Sequence, residues 1–128
     1  MGTTINLYAA WVGIFLGFIA GALPGLFFHK PDWLGGYASW ARRMVRLAHI
    51  SFFGLAFINL AFALSAPRMG LPDVDLILSS RLLVLGAASM PAVCYLAALW
   101  QPFRHLFFLP VGSLVLGVGL LLYRGVLR

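Results

Sequence analysis

The sequence predicts an all-α integral membrane protein with four transmembrane helices in an antiparallel up-down bundle and a short interfacial helix between spans 1 and 2. Three observations predict it. Of the 128 residues, 62% are hydrophobic and 9% charged, with a mean hydropathy of +0.99; soluble domains are about half apolar and about a quarter charged. The apolar residues gather into four runs, each close to the roughly 20 residues that a helix rising 1.5 Å per residue needs to cross a hydrocarbon core about 30 Å thick. The basic residues, which give a net charge of +6, lie between those runs or at their edges. On a soluble chain that charge would suggest nucleic acid. Placed at the boundaries of apolar segments it points instead to anionic lipid headgroups, and the expected partners are membrane lipids and other membrane subunits, with no nucleic acid.

The whole chain, 1–128, reads as one transmembrane domain. The first span covers about 7–28. Ala20, Gly21 and Ala22 resemble a signal-peptide cleavage site, but no basic segment precedes the apolar run, so a retained span is expected. Within it Gly13, Gly17, Gly21 and Gly25 recur at every fourth position and form a stripe on one helix face. In lipid such a groove lets a second backbone approach closely, and it marks a helix contact either inside the chain or with a partner subunit. Pro24 loosens the last turns of this span.

The connection HKPDWLGGYASWARRMVRL is too polar to span and too aromatic for a free linker. Trp33, Tyr37, Trp40 and Met44 recur at helical spacing, as on a helix lying in the interface, with Asp32 at its start and Gly35 and Gly36 weakening it. The second span, about 47–66, starts behind Arg42, Arg43 and Arg46 and stops at Pro67. The loop PRMGLPDVDLILSS carries turn and cap chemistry, Asp73 and Asp75 included. The third span covers about 82–100, its helix starting as early as Asp73 or Asp75, with Arg81 at the membrane edge and paired with an acid of that loop. Gln101 to Arg104 make a connection short enough to force antiparallel neighbours. The fourth span, about 105–123, contains Pro110. Five basic residues (Lys30, Arg42, Arg43, Arg46, Arg104) face four (Arg68, Arg81, Arg124, Arg128) across the membrane. The cluster beside the first span places the first and third connections in the cytoplasm and both termini outside. The expected setting is a bacterial plasma (inner) membrane.

Chemistry is sparse. Phosphate-binding, dinucleotide, zinc-protease and nucleophile-elbow motifs are absent, and Asp32, Asp73 and Asp75 are the only acids. That excludes paired-carboxylate and di-metal hydrolases and favours a non-enzyme. Cys94 has no second cysteine and reads as a small core residue. The topology sends His29, His49 and His105 toward one membrane face. A haem b needs axial imidazoles at similar depth and arginines for its propionates; a quinone or a chlorin needs a single imidazole. The candidate cofactor-binding residues are therefore His49 and His105, with Arg42, Arg46 and Arg104. His29, beside Lys30, reads as a solvated helix end. Asn59 is the one strongly polar side chain near the middle of a span, and its amide is expected to bond across to a neighbouring helix. Asn59 and the glycine stripe are the expected packing residues.

Two functions follow as expectations. The first is a small polytopic subunit of a larger membrane assembly, with electron transfer suggested by the histidine face alone. The second is an autonomous homo-oligomeric transporter or channel for small solutes, with Asn59 and Arg81 as its pathway residues.

Overall fold

In a computed structural model, described for residues 2–125, the chain is all-helical: α1 (Thr4–Gly25), α2 (Trp40–Ser65), α3 (Asp73–Leu99) and α4 (Phe108–Gly125), with 3-10 turns at Trp33–Gly35, Ala66–Met69 and Gln101–Phe107. With the adjoining 3-10 turns included, four of these helices are long and apolar enough to cross a membrane.

Helix boundaries differ from the apolar runs for local reasons. α2 begins at Trp40, seven residues before the apolar run at 47, because Ser39 accepts a hydrogen bond from the Arg42 backbone N–H (3.2 Å) and so caps the helix. The arginines and Met44 that follow are good helix formers. The same cap corrects the expected interfacial helix. Leu34, Gly35 and Gly36 have φ of 54°, 85° and 96°, left-handed values that break a right-handed helix, so the connection forms only the short turn Trp33–Gly35. Trp33 and Tyr37 sit in that connection, whereas Trp40 and Met44 belong to α2. α3 starts at Asp73 after Pro72, with Asp73 and Asp75 in the first turn where carboxylates complement the helix dipole.

Packing proceeds along the chain. The stripe of α1 meets α2 inside the molecule: a Cβ added at Gly13 would lie 3.0 Å from Ala56 Cβ, one at Gly17 2.8 Å from the Phe53 ring, and one at Gly21 2.5 Å from His49 Cε1. Gly17 and Gly21 are therefore filled by α2; Gly13, tight against Ala56, also borders an open groove between α1 and α3, and Gly25 meets nothing within 4 Å. As residue numbers rise along α1 they fall along α2, so the two helices run in opposite directions. The α3–α4 contacts descend in the same way, with Gly86 against Leu114, Gly117 against Leu82 and Leu83, and Asp75 paired with Arg124. Trp40 Nε1 donates to the Ala97 carbonyl (2.7 Å) and ties the start of α2 to the end of α3. Phe62, Ala66, Leu76 and Leu83 form a buried cluster against which Leu114 and Leu121 of α4 pack.

Candidate functional site

One end of the α1–α2 seam carries an arginine and aromatic cluster. Arg42, Arg46 and His49 stand at i, i+4 and i+7 on α2 and so share a face. Arg42 is only 5% exposed. Its Nη2 donates to the Phe28 carbonyl (3.2 Å), and its guanidinium lies 5.2 Å from the Phe28 ring centre and 5.6 Å from those of Trp33 and Tyr37. Arg46 also lies over Tyr37, 4.3 Å from its ring centre. These cation–π contacts replace part of the lost hydration. They leave hydrogen-bond donors unmet: Arg42 Nε and Arg46 Nη1 are buried without a partner among the described residues. Neither arginine has a carboxylate partner there; the ion pair among the described residues joins Arg124 to Asp75.

His49 is half-buried one turn deeper. Its Nδ1 lies 3.0 Å from the Gly17 carbonyl. A carbonyl can only accept, so Nδ1 carries the hydrogen and Nε2 is the nitrogen left over. Together with Arg46, Val45, Phe28, Pro24, Gly21 and Ala20 it lines a cavity of about 70 Å³.

The remaining predicted ligands lie elsewhere. Arg104 and His105 are exposed on the turn Gln101–Phe107, where they line a separate cavity of about 120 Å³ with Gln101 and Pro102. His29 is exposed beyond the end of α1. The five residues expected to share a cofactor thus divide into two groups, Arg42 with Arg46 and His49, and Arg104 with His105. The first group faces α1, while the second rides on an element packed against α3 and α4. Two imidazoles lining different cavities do not clamp one haem iron. The cavity at His49 is also far below the roughly 300–1,000 Å³ of cofactor pockets.

Three helices meet at a polar node nearer the opposite end. Asn6 Nδ2 donates to Asn59 Oδ1 (2.7 Å) and to the Ser80 carbonyl (3.2 Å), and the Ser80 hydroxyl donates to Asn6 Oδ1. Asn59 Nδ2 in turn donates to the carbonyls of Leu55 (2.9 Å) and Leu83 (3.3 Å). Both asparagines are fully buried. Sequence reasoning singled out Asn59 and missed Asn6 and Ser80, which lie just outside the apolar runs. The signal that finds them is the start of α3 at Asp73, which brings Ser80 two turns into the helix. Arg81, expected to pair with an acid of the preceding loop, lines a cavity of about 470 Å³ with Asp75 and Arg124, but the carboxylate of Asp75 is taken by Arg124.

Between these ends a lateral groove of about 410 Å³ opens between α1 and α3, with α2 as its floor. Ala9, Gly13, Ala56, Ala87, Ala88 and Ala92 line it, with Tyr95 at one end. Pro91, also in its wall, has no N–H to offer the Ala87 carbonyl one turn back.

The fold and these features define a class: an all-helical protein whose four helices are long and apolar enough to cross a membrane, with no group of three or more metal-ligating side chains among the described residues. No protein-family model, curated protein or solved structure matches the chain.

Proposed function

We propose that the chain is a small non-catalytic membrane subunit, its helices crossing the bilayer up and down, that docks a helix of a larger membrane partner in the groove between α1 and α3. The groove carries this reading. Six of its lining residues are alanine or glycine, drawn from three helices. In lipid, where burial of apolar surface supplies no drive, small side chains that let backbones approach are what promote helix association. The groove runs along α3 from Val84 to Tyr95, about three turns, which matches a rod-shaped occupant better than a compact solute. The connection with Trp33 and Tyr37 then lies at the headgroup level. A bacterial plasma membrane suits a chain of this size and composition.

A transporter or channel has less support. Its two pathway candidates are otherwise engaged or placed: both polar atoms of the Asn59 amide are bonded, and Arg81 is on the outer surface. Among the described residues no carboxylate bonds to the polar node to couple protons.

Ala88 and Ala92 are exposed and outside the core, so Ala88→Trp and Ala92→Trp fill the groove without disturbing the fold. Both variants are expected to accumulate in the membrane and to lose about tenfold or more of their co-purifying partner, as bulky residues at a small-residue contact do. Quantitative native electrophoresis after mild solubilisation reads this directly. Full retention of the partner by both variants contradicts docking in the groove.

A further inference from the structure

We infer that Arg42 and Arg46 form a binding site for a phosphate-type oxyanion, such as the phosphate of an anionic lipid headgroup, at the open end of the α1–α2 seam. The inference does not depend on what occupies the lateral groove.

Four observations carry it. The first is unmet donor capacity: Arg42 Nε and Arg46 Nη1 are buried with no partner among the described residues, although Arg42 is only 5% exposed. A buried guanidinium without an anion is unfavourable, and cation–π contacts offset only part of that. The second is that neither arginine has a counter-charge among the described residues. Arg43, exposed on the outer face, differs in its donors, since its Nε and Nη2 both donate to the Ala38 carbonyl (2.9 and 2.7 Å). The third is space. Arg46 forms one wall of a cavity of about 70 Å³ that is bounded on the α1 side by Gly21, Pro24 and Phe28 and closed by His49. The fourth is the setting. Phe28, Trp33 and Tyr37 surround the guanidiniums, the side chains expected where headgroups meet acyl chains.

The chemistry selects phosphate over a simple halide. A guanidinium presents its N–H groups as a planar fork that matches two oxygens of one oxyanion, and two arginines one helical turn apart share the helix face from which such an ion is bound. His49 sets the floor, its Nδ1 held by the Gly17 carbonyl.

The test uses the full chain purified in a neutral detergent, titrated with phosphatidylglycerol and, separately, with inorganic phosphate, and read by native mass spectrometry. Wild type is expected to bind the lipid in one saturable step. Arg46→Gln should weaken it about tenfold or more and Arg46→Lys less, because the charge remains while the fork is lost. Arg43→Gln should change it by less than about twofold, as expected for a screened surface charge. Retention of the wild-type thermal unfolding temperature by Arg46→Gln separates lost binding from lost fold. Displacement of the lipid by millimolar inorganic phosphate assigns the site to the phosphate group itself; resistance to displacement assigns it to the lipid, and either upholds the site. Equal weakening by Arg46→Gln and Arg43→Gln, undiminished binding in Arg46→Gln, or no saturable binding by wild type overturns it.

Discussion

Replacing Asn59 with alanine is expected to destabilise the protein by about 2–3 kcal/mol, the larger part of it from groups left unpaired at the polar node. Asn59 accepts from Asn6 and donates to the Leu83 and Leu55 carbonyls. A single hydrogen bond between transmembrane helices contributes only about 0.6 kcal/mol on average, up to about 1.7, because the unfolded chain in lipid also finds partners. The node is worth more than that average because it is shared. Removal of Asn59 takes the acceptor from the buried amide of Asn6 and leaves that donor to the Ser80 carbonyl alone, at 3.2 Å. The prediction is therefore about coupling as well as size. In a double-mutant cycle, Asn6→Ala and Asn59→Ala should show an interaction of about 1–2 kcal/mol, as residues in one network do. Reversible unfolding in mixed micelles measures it, and strict additivity would show that the node is not cooperative.

The second large effect is at the glycine stripe, and here one substitution should give opposite outcomes along one helix. At Gly17 and Gly21 an added Cβ already falls 2.8 Å from the Phe53 ring and 2.5 Å from His49 Cε1. Leucine at either position must push α1 off α2, and a loss of about 3 kcal/mol or more is expected, at the upper end of overpacking effects. At Gly25, with nothing within 4 Å, leucine should cost less than about 1 kcal/mol, since a glycine-to-larger change in a helix is otherwise neutral or favourable. Gly54, equally open, serves as a second reference. Thermal unfolding of the four leucine variants ranks them; equal losses at all four would place the α1–α2 contact elsewhere.

Those two cases show what the sequence carried and what it did not. The number of long apolar helices was legible, because a segment hydrophobic on all sides and about 20 residues long has few other homes. Helix starts were less so. Hydropathy marks only the apolar stretch, whereas α2 and α3 begin several residues before it, at Trp40 behind the Ser39 cap and at Asp73 after Pro72. The interfacial helix failed because Trp33, Tyr37, Trp40 and Met44 match its period while Leu34, Gly35 and Gly36 take left-handed backbone angles between them. The glycine register announced a close contact, but periodicity cannot say which helix fills it; only the fold shows α2 there. Asn59 stood out as polar among apolar neighbours, while its partners Asn6 and Ser80 lie where polar residues draw no notice. The lateral groove had no signature at all, since its small residues come from three separate segments, each ordinary by itself. The histidines illustrate the converse. The expected topology sends them to one face, but the helices that touch put His49 on the α1–α2 seam and His105 on the turn against α3 and α4.

The central claim, lateral docking of a partner helix between α1 and α3, is tested most directly by site-specific photo-cross-linking in the native membrane. A photoreactive residue at Ala88, in the groove, is compared with one at Val115, which is 64% exposed on α4. One discrete adduct with a different membrane protein is expected from Ala88, lost when Ala92→Trp fills the groove, and no adduct of that kind from Val115. Adducts with only lipid or a second copy of this chain from Ala88, or the same products from both positions, would contradict it.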